Sequence, residues 1–158
     1  MKLGEILSQE DQGRPLVGHE VEFWIKKGNE RRFRVKAKMY PLGEADRQQA
    51  RRDAVKFLRT LPDYKETERD GAPYLPPIPE MVRYEEEEYK RLCLILHDVD
   101  DPSAKFVLNA DYSAFRSGVT VEQVNWLGRE YDKYIASEYP ELLSEKQRGE
   151  LESEALSK

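Results

Sequence analysis

The side chains best suited to chemistry are concentrated at residues 97–101, which read His-Asp-Val-Asp-Asp. Carboxylates at this spacing are typical of cation sites, and the EF-hand loop is the nearest pattern. Counted from Asp98, however, the sixth position is Ser103 instead of glycine and the twelfth is Asn109 instead of an acid. Because Asp and Pro also form ordinary turns, we expect no metal ion or other cofactor here.

A nucleophilic pair is the second chemical possibility, since Cys93 and His97 would share one face of a helix at a spacing of four. Cys93 lies between leucines, where a buried thiol is usually inert packing. His19 is the other histidine, and two histidines without several cysteines do not form a typical zinc site. The sequence also contains no Walker-type, GxGxxG or G-x-S-x-G motif. We therefore predict a protein without enzymatic activity.

The distribution of charge indicates an interaction protein instead. Residues 26–59 contain 12 basic and 4 acidic side chains, whereas the whole chain contains 26 basic and 31 acidic ones. A basic segment in an acidic protein favours contact with an acidic partner or with a second copy of the chain. The net charge of −5 weighs against phosphate binding, so nucleic acid is a less favoured partner.

Composition predicts a small soluble protein with a lean core. Hydrophobic residues make up 39% and charged residues 36% of the 158 residues, whereas average domains are about 45–50% apolar and 25% charged. The sequence lacks an apolar run of the ~20 residues that a membrane span needs and a signal-peptide pattern at its start. With a single cysteine, the expected location is a reducing cytoplasm.

Two stretches with alternating apolar residues, 21–26 and 33–39, predict a β-hairpin around the turn at residues 27–30. The second strand is expected to carry a basic outer face formed by Arg34, Lys36 and Lys38. On an edge strand such residues block uncontrolled pairing, or they accept a chosen strand from a partner. The side chains expected to point inward are Val21, Phe23, Ile25, Phe33, Val35, Ala37 and Met39.

Residues 44–61 and 80–97 have the apolar spacing of amphipathic helices. In the second of these helices, the four acids from Glu85 to Glu88 are expected to form a solvated turn, and residues 92–96 to be the most buried part. The apolar stripe of this helix is predicted to consist of Met81, Tyr84, Tyr89, Leu92, Cys93 and Leu96.

Between these helices, residues 62–79 contain five prolines and predict an extended linker, which serves as a spacer or a strap. Residues 74–79 could alternatively bind an aromatic groove in a partner. Residues 106–108 form either a strand or a packed loop.

A short helix is predicted to begin at Asp111 and to end at Gly118. Thr120 and Gln123 then match a capping box before the last helix. The apolar face of that helix is predicted to comprise Val121, Val124, Leu127, Tyr131 and Ile135.

Together these elements predict an α+β fold. We expect a β-hairpin plus basic helix at residues 1–61, a proline-rich linker at 62–79 and a small helical subdomain at 80–140. Residues 141–158 form a polar tail, from 144 onward either a frayed helix or disordered.

Several passages occur in a distinctive order: Pro-Leu-Gly-Glu at residues 41–44 after the basic strand, then an acidic helix ending in Leu-Ile-Leu-His-Asp-Val-Asp-Asp-Pro at 94–102. Lys105 and Phe106, a short helix, residues 118–120 and a helix of Val-Asn-Trp-Leu type follow. This order resembles the tail assembly chaperones of long-tailed bacteriophages over residues 20–139. The resemblance lies in element order and character and includes no invariant motif.

The resemblance implies a non-enzymatic protein that binds the tape-measure and tail-tube proteins in the infected cytoplasm and keeps them soluble. It brings no catalytic residues. Aromatic anchors with a charged rim suit such binding, so we predict Trp24, Phe106, Tyr112 and Phe115 as partner contacts, each of which could instead belong to the core.

The alternative is a small regulatory or inhibitory protein that acts through its basic hairpin on nucleic acid or on a host factor. Under either hypothesis Arg34, Lys36 and Lys38 are candidate binding residues.

Overall fold

A computed structural model describes residues 1–9 and 13–143 and has the predicted α+β architecture. Residues 144–158, which include most of the predicted polar tail, lie outside the described part. The helices and strands are α1 (Leu3–Leu7), β1 (His19–Lys27), β2 (Arg31–Met39), α2 (Glu44–Leu58), β3 (Thr67–Arg69), β4 (Ala72–Tyr74), α3 (Glu80–Ile95), β5 (Leu96–His97), α4 (Tyr112–Gly118) and α5 (Val121–Glu138), with short 3₁₀ turns at Asn109–Asp111 and Pro140–Leu142.

The predicted hairpin is present, with β1 and β2 antiparallel from the pair His19–Met39 to the pair Lys27–Arg31. Its turn contains Gly28 at a φ of +63°, a conformation that glycine adopts without steric cost. The apolar side chains on the inner face, such as Ala37, are buried near the base of the hairpin. The inward prediction is wrong for Phe33, which is 47% exposed. It is the third residue of β2, close to the turn.

A third strand extends the sheet where a continued helix was predicted. Helix α3 ends at Ile95, and β5 pairs antiparallel with β2 through Lys38–His97 and Met39–Leu96. The backbone of Leu96 is extended, and its side chain is fully buried. The helix therefore ends two residues early because the buried Leu96 lies in a sheet instead of in a further helical turn.

The hairpin and the C-terminal helices share one hydrophobic core, so the segments on both sides of the linker pack together. Its buried members include Phe23 from β1, Ile95 from α3 and Leu127 from α5. Helix α2 adds Ala50, Ala54 and Leu58 to the buried apolar residues.

The linker contains more structure than a polyproline segment. Strands β3 and β4 form a small antiparallel hairpin, and its turn places both Asp70 and Gly71 at positive φ. Arg59 donates from one guanidinium nitrogen to the carbonyls of Tyr64 and Pro76. That cation therefore holds the two ends of the linker against the end of α2, which agrees with the strap alternative.

The predicted solvated turn in α3 is wrong at Glu86, which is only 2% exposed. The predicted stripe is also wrong at its start, since Met81 is 84% exposed and Tyr84 is exposed as well. The buried face of α3 instead follows Glu86, Tyr89, Leu92 and Ile95. Because α4 supplies polar partners to Glu86, the face that packs inward includes an acid that periodicity alone assigns to solvent.

Helix α5 is buried along most of the predicted face, but its first residue, Val121, is exposed and Tyr134 is buried in addition. Residues 106–108 form a loop in which Phe106 and Val107 are half-buried, whereas Leu108 is 59% exposed. The N–H of Phe106 donates to Leu96 O at 3.2 Å. Within the described residues, no helix has the length and apolar character to cross a membrane.

Candidate binding surface on the basic hairpin

The outer face of the hairpin carries charges that pair across the two strands. The register places Glu22 opposite Lys36, and the Nζ of Lys36 lies 3.3 Å from a Glu22 carboxylate oxygen. Arg34 forms a second ion pair with the same carboxylate. The hydrogen bond from Lys36, followed by the charge of Arg34, lowers the pKa of Glu22 below its usual value. The charges of the predicted binding residues Arg34 and Lys36 are thus partly neutralised by Glu22 on the neighbouring strand.

Lys38 lies at the base of the hairpin, opposite Glu20, and is half-buried. Its aliphatic chain passes so close to Gly18 that a Cβ there would lie 3.0 Å from Lys38 carbons. A long side chain that packs along its stem still presents its ammonium to solvent. Lys38 is therefore the most constrained of the three predicted basic residues.

Trp24 is 40% exposed on the outer face, and the guanidinium of Arg32 lies 4.5 Å from the centre of its ring. Such a cation–π contact at an exposed site is worth about 0.5–1 kcal/mol. A hollow of about 500 Å³ lies beside this pair at the junction of the hairpin with α4 and α5. Its lining consists of Trp24, Lys26, Asn29, Glu30, Arg31, Arg32, Gly118, Thr120 and Gln123.

A second hollow, of about 510 Å³, lies at the hairpin turn beside Phe33 and is lined by Phe33 and residues 27–31. Phe33 and Trp24 project from opposite faces of the hairpin, since their positions differ in parity in the β1–β2 register. The distal half of the hairpin therefore presents one exposed aromatic side chain on each face, next to basic residues.

The outer edge of β1 is covered by side chains of α5. Gln123 accepts from Trp24 N–H and donates to Trp24 C=O, both at 2.7 Å. Thr120 caps the helix as predicted, with its hydroxyl accepting from Gln123 N–H at 3.3 Å. The amide of Gln123 does not complete the predicted capping box, because it binds the strand instead.

Further contacts near both ends of α5 hold β1 and the segment before it. Near its C-terminus, Tyr134 donates its hydroxyl to Val17 C=O, and the Tyr139 hydroxyl accepts from Val17 N–H at 2.7 Å. At the other end, a Cβ on Gly118 would lie 2.6 Å from Lys26 O, so the glycine permits direct backbone contact. We call this covered side the closed edge.

The outer edge of β2 differs. Strand β5 pairs with β2 only at Lys38 and Met39, and in the described part of the chain no strand lies beside residues 31–37 on that side. Arg34 and Lys36 on this stretch are more than half exposed. We call residues 31–37 of β2 the open edge.

Three predicted aromatic contacts lie in the core instead of on this surface. Tyr112 and Phe115 are buried, and Phe106 is half-buried in an edge-to-face contact with Phe23, with ring centres 5.9 Å apart. Phe115 packs edge-to-face on Tyr89 at 6.1 Å. For Tyr112 and Phe115 the prediction of surface contact is wrong, because α4 turns its apolar face toward α3.

A buried polar cluster holds α4 in this position. The carboxylate of Glu86 accepts from the Tyr112 hydroxyl and from Arg116 Nε, the latter at 3.0 Å. Burial, followed by the hydrogen bond to Glu86, raises the pKa of Tyr112 well above its usual value. Lys90 lies over the Tyr112 ring, with its Nζ 3.3 Å from the ring centre. The Arg116 guanidinium and the Tyr112 hydroxyl thus compensate the buried carboxylate of Glu86.

The catalytic alternative loses its geometric basis, because His97 lies on β5 and not on the helix that carries Cys93. Burial raises the pKa of the Cys93 thiol to about 12, which disfavours the thiolate. Burial, and then the charge of Lys105, lowers the pKa of His97, whose Nδ1–H donates to Pro102 O at 2.8 Å. The Cys93 side chain is thus packed against the hydrophobic core, and the His97 ring is held by a hydrogen bond to the backbone.

The acidic loop after β5 is explained by its own turns. The carboxylate of Asp98 accepts from the N–H groups of Asp100 and Asp101, and that of Asp101 accepts from Ser103. The hydrogen bonds from Ser103 lower the pKa of Asp101. Among the described residues, no group of three or more His, Cys, Asp or Glu side chains is arranged to hold a metal ion.

The candidate surface therefore consists of Trp24 on β1 and the open edge of β2, which includes Arg32 and Phe33. Of these, Trp24 was predicted as a partner contact and Phe33 was predicted to lie in the core. Arg32 was not among the predicted binding residues, although it continues the alternation of Lys36 and Arg34 toward the turn. No family model, curated protein or solved structure matches the chain.

Proposed function

We propose that the protein is a non-enzymatic binding protein that engages a protein partner through the distal half of its hairpin. The observation that carries this proposal is the pair of exposed aromatic residues, Trp24 and Phe33, among basic side chains at the hairpin tip. Tryptophan and arginine are enriched among residues that dominate binding energy. An exposed aromatic on each face of a projecting element suits a partner that wraps around it.

Within this class, the order of elements leads us to propose a tail assembly chaperone of a long-tailed phage, which acts in the host cytoplasm. Its partners would be the tape-measure and tail-tube proteins. A long helical tape-measure protein exposes apolar stripes before assembly, and a soluble partner must cover them reversibly. Two aromatic anchors bordered by charges, such as Trp24 and Phe33, suit contacts of that strength.

The test is co-expression of the tagged protein with its genomic neighbours, followed by pull-down and mass spectrometry. Recovery of a long helical protein or a tube subunit, with solubility that depends on co-expression, is the expected result. The double variant Trp24→Ala/Phe33→Ala should lose that protein. Trp126→Ala is the matched control, because Trp126 is 39% exposed but lies on α5 and lines neither of the two hollows at the hairpin. Equal recovery by all variants would exclude the hairpin as the binding surface.

Nucleic-acid binding is the second candidate, because Trp24 with Arg32, Lys26 and Arg31 could stack a base beside phosphates. Phosphate contacts release counterions, so binding of this kind falls steeply with salt. A titration with single-stranded DNA at increasing salt distinguishes the two. Tight, salt-sensitive DNA binding, together with a pull-down that recovers no structural protein, would replace the chaperone proposal by a regulatory one.

A further inference from the structure

The open edge directs free backbone groups outward in a regular series. Trp24 points its N–H and C=O away from β2, toward Gln123, and its register partner Arg34 must therefore point its own away from β1. Directly after β2, Tyr40 N–H donates to Ile95 O at 3.1 Å on that same side. Because backbone groups alternate in direction along a strand, Arg32, Arg34 and Lys36 all point their N–H and C=O groups outward from the open edge.

This stretch is long enough for specific pairing. Five residues of extended chain, from Arg32 to Lys36, span about 17 Å. Unpaired edge groups over such a length form a template for an added strand. The closed edge cannot serve in this way, because Gln123 already occupies the backbone groups of Trp24.

The side chains along the open edge define what an added strand must look like. Every second residue of the open edge, namely Arg32, Arg34 and Lys36, carries a basic side chain on the outer face of the hairpin. Because cross-strand pairs of opposite charge stabilise strand pairing, an added strand should place acidic residues opposite them. Glu22 compensates part of this charge, yet the outer face of the hairpin still holds five basic side chains and two acidic ones. Those seven are Glu20, Glu22, Lys26, Arg32, Arg34, Lys36 and Lys38.

On the inner face of the same stretch, the exposed Phe33 and the half-buried Val35 alternate with the basic residues. A strand beside them would place apolar side chains next to these two. A second copy of the open edge does not fit, because antiparallel pairing would set arginine and lysine opposite each other, which is destabilising.

We propose that the open edge binds an extended segment of the partner protein by strand addition, and that this segment alternates acidic and apolar residues. The inference rests on the proposed function as a protein-binding module and specifies how the partner is held. Backbone hydrogen bonds to Arg32, Arg34 and Lys36 supply the pairing, and the alternating side chains select the sequence.

The test is a titration of the full-length ¹⁵N-labelled protein with a short capped peptide of alternating glutamate and valine. In the free protein, the amides of Arg32, Arg34 and Lys36 should exchange rapidly with solvent. With the peptide at ten times its Kd, their exchange should slow by about tenfold, as expected for a site that is mostly occupied. The matched controls are the same peptide with lysine in place of glutamate, and one N-methylated on the residues that would face β2; neither should slow exchange.

Each other outcome overturns either strand addition or the preference for an acidic segment. Binding of the glutamate peptide with continued fast exchange at the edge would show contact without strand pairing. Absence of binding, equal binding of the lysine peptide, or slow exchange at these three amides in the free protein would each exclude the inference as stated.

Failure of the inference remains separable from failure of the proposed function in the co-expression pull-down. Arg34→Pro removes an edge N–H that β1 does not use, whereas Arg34→Ala removes the same charge and keeps the N–H. Both variants are first checked by their ¹⁵N spectra. Strand addition predicts that the proline variant recovers several-fold less partner than the alanine variant. If both recover it equally while Trp24→Ala/Phe33→Ala loses it, the binding function stands and strand addition is wrong.

Discussion

The two outer edges of the β1–β2 hairpin differ in how their backbone groups are protected. On the closed edge, Gln123, Tyr134 and Tyr139 of the C-terminal region satisfy backbone groups of β1 and of the segment before it. On the open edge, β5 covers two residues of β2, and arginine and lysine side chains border the remainder. Proteins prevent edge aggregation either by covering an edge or by charging it. Only the second strategy leaves backbone groups available to a chosen partner.

The strongest test of this comparison adds volume to the closed edge. Gly118→Val would place carbon within 2.6 Å of both Ile25 Cγ2 and Lys26 O. Since one of these atoms is backbone, the junction of α4 and α5 must shift, and overpacking of this kind costs about 1–3 kcal/mol or more. Urea denaturation measures the loss of unfolding free energy.

Gly128→Ala is the control for that variant. Gly128 lies within α5, and the nearest atom that its Cβ would meet is Arg91 Nη2 at 3.9 Å. Replacing a helical glycine there should stabilise the protein by about 0.5–1 kcal/mol. If both variants had the same effect, the close approach of Gly118 to β1 would not be what holds the edge closed.

Removing the amide of Gln123 should convert the closed edge into a second open one. Gln123→Met keeps the length of the side chain and loses both hydrogen bonds to Trp24. We expect a loss of about 2 kcal/mol, because each such bond contributes about 1 kcal/mol. Hydrogen exchange provides the direct comparison: Trp24 N–H should change from slow to fast, while Arg34 N–H should be fast in both proteins. If the exchange rate of Trp24 N–H were unchanged, Gln123 would not be what protects the closed edge.

Tyr134→Phe is a milder change, which should cost about 1 kcal/mol for the hydrogen bond to Val17. It also predicts a pH dependence. Burial, and then the neighbouring Tyr139, raises the pKa of Tyr134 above its usual 10.0. The stabilisation from a raised pKa is complete below pH 10 and is lost as the pH rises through the folded value, because the unfolded chain ionises first.

Urea denaturation between pH 9 and pH 12 tests that dependence. The wild type should lose stability above pH 10, also because the pKa values of Tyr89, Tyr112 and Tyr131 are raised by burial. The unfolding free energy of Tyr134→Phe should fall less steeply with pH, because one titrating group fewer distinguishes the folded from the unfolded chain. Identical slopes would mean that Tyr134 ionises normally in the folded protein.

The smallest effect on stability is expected for Glu22→Gln on β1, which removes the ion pairs to Arg34 and Lys36 of the open edge. Exposed ion pairs contribute little, so denaturation at neutral pH should not distinguish the variant from the wild type. The pKa of Glu22 is lowered from 4.5 by Lys36 and Arg34, so its contribution is present above pH 4.5 and lost as the pH falls through the folded value. Any small difference should vanish in acid.

The same substitution should strengthen peptide binding, because it releases Arg34 and Lys36 for an acidic strand. Titration calorimetry with the alternating glutamate–valine peptide measures this effect. Weaker binding would indicate that the ion pairs to Glu22 orient the basic side chains for the partner and do not compete with it.

Much of the fold could be predicted from local patterns. Alternation at residues 21–26 and 33–39 specified both strands, and Gly118 with Thr120 marked the boundary between the last two helices. The predictions failed at Glu86 and Leu96, where tertiary contacts overrode periodicity, and at Phe33, whose side chain is left 47% exposed near the turn. A periodic pattern reports which face an element can bury, and the neighbours determine how much of that face is covered.

The candidate surface was predictable only in part. Trp24 and the basic residues of β2 carried a signal in the sequence, whereas Tyr112 and Phe115 were indistinguishable from surface anchors until α3 supplied Glu86 and Tyr89 as their neighbours. The role of Gln123 had no usable signal, because a capping box accounts equally well for its position.

The sequence by itself determined the hairpin, the position of its turn, and a basic strand within an acidic chain, because these depend on residues close together along the chain. The tertiary structure alone decided which edge of the hairpin is covered. That outcome depends on α5, nearly a hundred residues after β1, meeting Trp24 through Gln123. Contacts at such separation arise from the packing of whole elements, which local spacing does not encode.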